Sequence, residues 1–270
     1  MIDMVRIDEK QLIKNYVKKT HALLTLNESK LLFSLAKNAD KKGVIVEIGS
    51  YKGGSTVILG LGSKLSNNIK VYAIDPHIHR KEKWGKENVP LSTLDTFKKN
   101  VKEARLEDLI VPIVKTSKEA SISWKKPISL LWIDGNHEYD FVKMDFILWE
   151  KHLINGGLIA LHDTNNSNKT LFSMKISARR LDGPARVVKQ YILNSKRFRN
   201  LKVIDSITVA QKVRHASHID ILKNKLRFYL AKLFKFYLVK YYIDQKFGLL
   251  GIFLKKYYPK SYYILKKIKG

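Results

Sequence analysis

The sequence predicts an α/β fold: a doubly wound, mostly parallel sheet with helices on both faces, followed by a C-terminal basic amphipathic helical extension. Three observations lead there. Short, β-branched, nearly continuous apolar runs alternate with helical patterns between residues 44 and 163, as strands buried on both faces require. Those runs end on Glu47-Ile48-Gly49, Asp75, Lys115-Thr116-Ser117, Asp134 and His162-Asp163, at the strand ends where such sheets hold ligands. The composition then breaks near 213–218. Residues 214–270 carry 14 Lys and Arg against two Asp, and 13 of the chain's 28 aromatic residues.

Residues 8–20 and 27–39 read as helices, the second opened by a capping box, Thr25 with Glu28. Val44 to Ile48 is the first buried strand, and Gly49 to Gly54 is a glycine-containing turn before a helix at Thr56–Leu65. Lys70–Asp75 is the second strand, and 77–91 reads as a long polar loop. Ser92–Ala104 is helical, Leu109–Val114 a third strand, and Ser117–Ala120 the start of a short helix. Ile128–Asp134 is the fourth strand. Tyr139–His152 is a helix that the Gly156–Gly157 turn closes, and Leu158–Leu161 is the fifth strand. Residues 164–182 form a polar, basic loop region. Gly183–Pro184 opens a helix, and Leu201–Val213 supplies one or two edge strands.

Of the 270 residues, 51 are Lys or Arg and 24 Asp or Glu, a formal charge of +27 that predicts an anionic partner. The absence of cysteine excludes a disulfide scaffold, cysteine zinc and iron–sulfur sites and a thiol nucleophile, and fits a reducing compartment. The first ten residues carry no signal-peptide pattern, and the longest uncharged apolar run, Phe247–Leu254, is too short to span a bilayer. A cytoplasmic protein is expected.

Two groups of residues carry the chemistry. In the first, Glu47, Gly49 and Gly53 follow a Glu-x-Gly-x-x-x-Gly pattern, which is neither a dinucleotide fingerprint nor a P-loop. A carboxylate there repels phosphate and suits a cationic ligand such as a sulfonium. Asp75, at the end of the next strand, can accept hydrogen bonds from a ribose diol.

In the second, Asp134 ends strand four and His162–Asp163 end strand five, so their side chains can converge. Converging carboxylates beside a hydroxyl suit a hard divalent cation such as Mg²⁺, which would lower the hydroxyl's pKa.

The run 44–163 resembles class I S-adenosylmethionine-dependent methyltransferases. It is most similar to small O-methyltransferases related to macrolide and aminocoumarin sugar O-methyltransferases and to cephalosporin-type enzymes. Trp132 to Asp145 (WIDGNHEYDFVKMD) and Gly156 to Asp163 (GGLIALHD) carry the likeness, which extends over roughly 25–212. It implies a Rossmann-like methyltransferase fold for residues 1–213. It further implies that Glu47, Gly49, Ser50, Tyr51, Gly53 and Ser55 line S-adenosylmethionine, that Asp75 holds the ribose, and that Thr116 and Ser117 lie beside the adenine. Asp134 would serve cofactor, metal and catalysis together.

The resembled enzymes hold metal with the Asp of the Ile-Asp-Gly segment and an acidic pair, so Asp134, His162 and Asp163 are the expected ligands. His162 stands where the first acidic residue usually is, which shifts the preference towards Mn²⁺ or offers His162 as the base instead. His137 matches the histidine assigned as general base in some relatives, whereas others use an Asp where this chain has Asn136. Asp145 reads as surface charge, and Lys169, Lys175, Arg179 and Arg180 as an acceptor wall or a solvated loop.

In the tail, Ile219, Leu222, Leu226, Tyr229, Leu230, Leu233, Tyr237 and Tyr241 share one helix face, with Lys225, Lys232 and Lys235 opposite. That pattern suits an anionic membrane surface at the inner face of the membrane, or packing on the catalytic domain or on a second copy in a homo-oligomer. Nucleic acid ranks last. The expected reaction is methyl transfer to a hydroxyl of a sugar or glycan, lipid-linked if the tail binds membrane. A phenolic small molecule, an RNA and a non-catalytic membrane adaptor are the rival readings.

Overall fold

A computed structural model of the chain describes residues 8–80, 90–165 and 182–233. Two helices precede the sheet, α1 (Glu9–Thr20) and α2 (Leu26–Lys37). The capping box at α2 forms as expected: the Thr25 hydroxyl accepts from the Glu28 amide, and the Glu28 carboxylate accepts from the Thr25 amide at 2.8 Å.

The sheet strands are β1 (Val44–Ile48), β2 (Val71–Ile74), β5 (Ile110–Ile113), β6 (Ile128–Ile133), β7 (Leu153–Leu161), β8 (Phe198–Ile204) and β9 (Ile207–Lys212). Their order is β5-β2-β1-β6-β7-β9-β8. The first five run parallel, while β9 pairs antiparallel with both β7 and β8. After β1 the chain builds outward on one side, then returns to build on the other, so a topological switch point falls between β1 and β6.

The connecting helices are α3 (Gly54–Lys64), α4 (Leu94–Glu103), α5 (Ser117–Ile122), α6 (Tyr139–Glu150) and α7 (Gly183–Val187), which continues as one π turn, Val188–Ile192. Two buried apolar clusters lie on the two faces of the sheet. One joins Leu32, Phe33, Val57 and Phe97 to the strands, and the other Phe146, Trp149, Val188 and Phe198. Ile45, Leu130, Leu131 and Trp132 are fully buried, as central parallel strands demand.

Three expectations need correction. The stretch read as a loop over 77–91 contains a two-stranded ribbon, β3 (Ile78–Arg80) with β4 (Pro90–Ser92), whose three-residue strands are too short to show periodicity. Gly156 and Gly157 do not close α6 but lie inside β7. Gly156 takes a left-handed φ of 88°, where the register against β6 slips between Ile128 and Leu130. Of the last two strands β8 is the edge, within the expected one or two, and β9 is paired on both sides. Asp145 is not a surface charge but is buried in α6.

The tail begins as a helix, α8, described over 218–233. Its inner face is anchored. Phe228 is buried in the second apolar cluster, and Asn224 accepts from the Leu201 amide and donates to the Phe198 carbonyl, both at 3.0 Å. The expected stripe of Ile219, Leu222, Leu226, Tyr229, Leu230 and Leu233 lies on the opposite face, each side chain at least half exposed. Lys225 and Lys232 are partly buried at the margin of the anchored face. Tyr237, Tyr241, Lys235 and the basic stretch Lys169 to Arg180 lie outside the described residues.

Candidate active site

A cavity of about 930 Å³ opens at the carboxyl ends of β1, β2, β5, β6 and β7. Its floor is the turn after β1. Gly49 adopts φ 87°, and a Cβ there would stand 2.4 Å from the Asp134 carbonyl oxygen, so only glycine lets the β1 and β6 ends approach this closely. Tyr51, itself left-handed at φ 47°, donates its amide to Asp75 Oδ2 at 2.8 Å, and the His77 amide donates to Oδ1 at 2.6 Å. Asp75 is thereby fixed in the cavity wall, and each oxygen keeps a lone pair for a hydroxyl.

Gly49, Ser50, Tyr51, Ser55, Asp75, Thr116, Ser117, Asp134, His137, His162 and Asp163 all line this cavity. Gly53 is not in the cavity lining; it adopts φ 82°, and a Cβ there would stand 3.1 Å from the Phe97 ring. Glu47 stands behind the wall, fully buried, and its two oxygens accept from the Ser55 and Thr56 hydroxyls. Burial pushes its carboxyl up to about 8, against the pull of those hydroxyls and with the charges of Asp134 and Asp75 adding to the rise. At neutral pH Glu47 is largely uncharged. The negative charge offered to a cationic ligand therefore comes from Asp75, Asp134 and Asp163.

At the β6 and β7 ends, histidines and carboxylates alternate. His137 Nδ1 lies 3.3 Å from Asp163 Oδ2, and its Nε2 lies 3.5 Å from Asp134 Oδ1. His162 Nδ1 is 2.9 Å from Asp134 Oδ1, and its Nε2 is 3.7 Å from Glu28 Oε1. Burial works against a charged His162, but hydrogen bonds with Asp134 and Glu28 and the nearby carboxylate charge override it and push its pKa up to about 10. Burial likewise opposes a charged Glu28, yet its bonds with His162, Ser206 and Thr25 bring it down to about 2.

Asp134, His137 and His162 can each offer a ligand atom, all within 4.8 Å of one another. An imidazole beside a carboxylate, as in His162 with Asp134, fits Mn²⁺ or a similar imidazole-accepting ion rather than Mg²⁺, whose ligands are oxygens, and His137 Nε2 serves either as a further ligand or as a base. Asp163, expected as a ligand, faces His137 instead.

Two residues at the site were not legible as such. Glu28 reads as a helix cap, yet its second oxygen reaches His162 and the amide and hydroxyl of Ser206. Asp145 is 4% exposed and lines the cavity. The helical period gives a signal for it: Val142, Phe146 and Trp149 are buried on the same face.

A parallel sheet with this switch point, a glycine turn after β1 and a carboxylate ending β2 defines the fold of class I S-adenosylmethionine-dependent methyltransferases. In agreement, residues 46–164 match the family described as methyltransferase domain. Protein R132 of Acanthamoeba polyphaga mimivirus is 30% identical over 136 residues, covering 49% of this chain and 57% of that protein. The match thus spans little more than half the length of this curated relative.

Among solved structures, the O-methyltransferase TomG of Streptomyces achromogenes, involved in tomaymycin synthesis and solved in complex with S-adenosylmethionine, is 15% identical with a TM-score of 0.52. That match covers 78% of this chain and 92% of TomG. An O-methyltransferase of Bacillus cereus in complex with S-adenosylhomocysteine is 18% identical with a TM-score of 0.51, over 78% and 94% of the two chains. At these identities the likeness is one of fold.

Proposed function

We propose that the chain is an S-adenosylmethionine-dependent O-methyltransferase acting on a hydroxyl of a sugar or glycan. The observation that carries this reading is the meeting of His137, Asp134 and Asp163 in the same cavity as Asp75 and the Gly49 turn. The cavity lies at the upper end of the roughly 300–1,000 Å³ usual for ligand sites, room for a cofactor and an acceptor side by side. The choice of a sugar rests on the likeness of Trp132–Asp145 to sugar O-methyltransferases.

In the proposed reaction the acceptor oxygen attacks the methyl carbon in line with the C–S bond. That bond breaks, its electrons neutralise the sulfonium, and the hydroxyl proton passes to His137. Asp163 holds Nδ1–H and so leaves Nε2 to take the proton, while Asp75 keeps the ribose in place. Asp134 and His162 would hold a divalent ion, which when bound acidifies and orients the acceptor hydroxyl.

Transfer of labelled methyl groups to sugar, phenolic and RNA acceptors tests the reading, with and without Mn²⁺ after chelation. Sugar labelling that Asp134→Ala abolishes is expected. Labelling of phenols or RNA alone would replace the acceptor class, and full turnover after chelation would remove the metal.

A second element concerns location. Among the described residues no helix is long and apolar enough to cross a membrane. The outward stripe of α8 nevertheless sits on a helix anchored from behind, flanked by Lys223, Arg227, Lys225 and Lys232. Basic flanks around an outward apolar face support docking on an anionic lipid surface, at the cytoplasmic face of the membrane. A second copy of the chain covering the stripe is the alternative outcome.

A further inference from the structure

Leu23 and Ile78 are large aliphatic side chains that line the reaction cavity and yet are 81% and 65% exposed. Neither stands on loose backbone. His21 closes α1 in the left-handed region at φ 50°, and the Ala22 amide donates back to the Val17 carbonyl at 3.2 Å. Ala22 then packs on the start of α3, where a Cβ on Gly54 would stand 2.8 Å from its Cα. Leu24 is buried in the first apolar cluster. Leu23 is therefore held outward between two anchored neighbours. Ile78 is held in a similar way. The buried His77 before it keeps Nδ1 3.0 Å from the Thr93 hydroxyl and its ring 5.0 Å from that of Phe97, and Ile78 itself pairs with Ser92 across the β3–β4 ribbon.

The turn after β1 ties the two segments together. Ala22 is the nearest neighbour of a Cβ on Gly54, and Phe97, against which the His77 ring lies, is the nearest neighbour of one on Gly53. Leu23 and Ile78 thus project from segments packed on the same pair of glycines. From Leu23 the chain runs on through the Thr25 cap into α2, whose Glu28 comes within 3.7 Å of His162. The segment that carries Leu23 therefore joins the glycine turn to the reacting end of the cavity. A sugar ring, covered in hydroxyls, gains little from an aliphatic wall. An alkyl chain gains about fourfold in binding for each methylene withdrawn from water. A wall already rigid keeps most of that gain, since little ordering is left to do. We propose that the acceptor is an alkyl-bearing glycoside, with its sugar hydroxyl at His137 and its chain against Leu23 and Ile78. This rests on the glycan reading above.

The test measures labelled methyl transfer by the full chain to methyl and octyl glycosides of a panel of hexoses, below the micelle concentration of the octyl compounds. Wild type should favour the octyl glycoside by about tenfold or more in kcat/KM, the gain of a few buried methylenes. Leu23→Asn with Ile78→Asn should narrow that ratio to about threefold or less, because the wall is no longer apolar. S-Adenosylhomocysteine affinity, by calorimetry, should stay within about threefold of wild type in the same variant. Both side chains are exposed, so its melting should match wild type. Leu23→Met, equally apolar, should keep the wild-type ratio. A wild-type ratio near one, an undiminished ratio in the double variant, or a narrowing in Leu23→Met as large as in the double variant overturns the proposal alone. So does a loss of about tenfold or more in cofactor affinity, which would assign the two side chains to the cofactor. Absence of labelling on every glycoside removes the glycan reading together with it.

Discussion

The amide of Gly183 donates to the carbonyl oxygen of His137 at 3.2 Å, and a methyl group on Gly183 would stand 2.4 Å from that same oxygen. The first residue of α7 therefore braces the loop that carries His137. Gly183→Ala must push that loop away from Asp163. A shift of about 1 Å at a reacting group can cost on the order of 100-fold in rate. Steady-state kinetics should show kcat falling about 10- to 100-fold, while calorimetry shows cofactor affinity changed by less than about threefold. Unchanged kcat would mean that the loop position is immaterial.

His137→Gln keeps the size of the side chain and removes the base. Loss of about 10²- to 10⁴-fold in kcat is expected, the span general-base catalysis supplies, with cofactor affinity retained. Asp163→Asn should produce a smaller loss, since it disturbs the imidazole's orientation rather than its presence. A His137→Gln enzyme of near-normal rate would remove His137 as the base.

Glu47 gives a stability prediction with a definite sign. Its folded pKa, about 8, lies above the ordinary 4.5, so the folded state binds the proton more tightly than the unfolded chain does. Stability is fully present below pH 4.5 and falls as pH rises through 8. Glu47→Gln stays neutral and can still accept from Ser55 or Thr56. Thermal melts should therefore show the variant close to wild type at pH 5 and higher by several degrees at pH 8. A gap that shrinks as pH rises would contradict a neutral Glu47.

The outward face of α8 predicts lipid binding that depends on both charge and apolar area. In flotation with vesicles containing phosphatidylglycerol, the full chain should rise with the lipid, and less so at high salt. Leu226→Glu with Leu230→Glu should leave it at the bottom, with melting unchanged because both side chains already face outward. Wild-type chains that ignore lipid but sediment as dimers, and variants that sediment as monomers, would assign the stripe to a second copy.

Much of this fold is written locally. The buried strand runs, the Thr25 capping box and the glycine turn at Gly49 each depend on residues adjacent in the chain, so the sequence exposes them. What stayed hidden depends on distance or brevity. The contact between His162 and Glu28 joins residues far apart in the chain, and no local pattern announces it. The β3–β4 ribbon is too short to show a period. Glu47 looks like a ligand-facing acid until the Ser55 and Thr56 hydroxyls are seen to take both its oxygens. Asp145 was obscured by its type: a carboxylate suggests solvent, although its spacing from Val142 and Trp149 places it inside.

The carboxylate of Glu28 ties α2, the β8–β9 turn at Ser206 and the His162 imidazole into a single knot. A graft or deletion that starts at β1 would sever it and strand His162 with its charge unbalanced on one side. The catalytic module is thus not portable on its own, and any transplant of its chemistry to another scaffold must bring the preceding helix along.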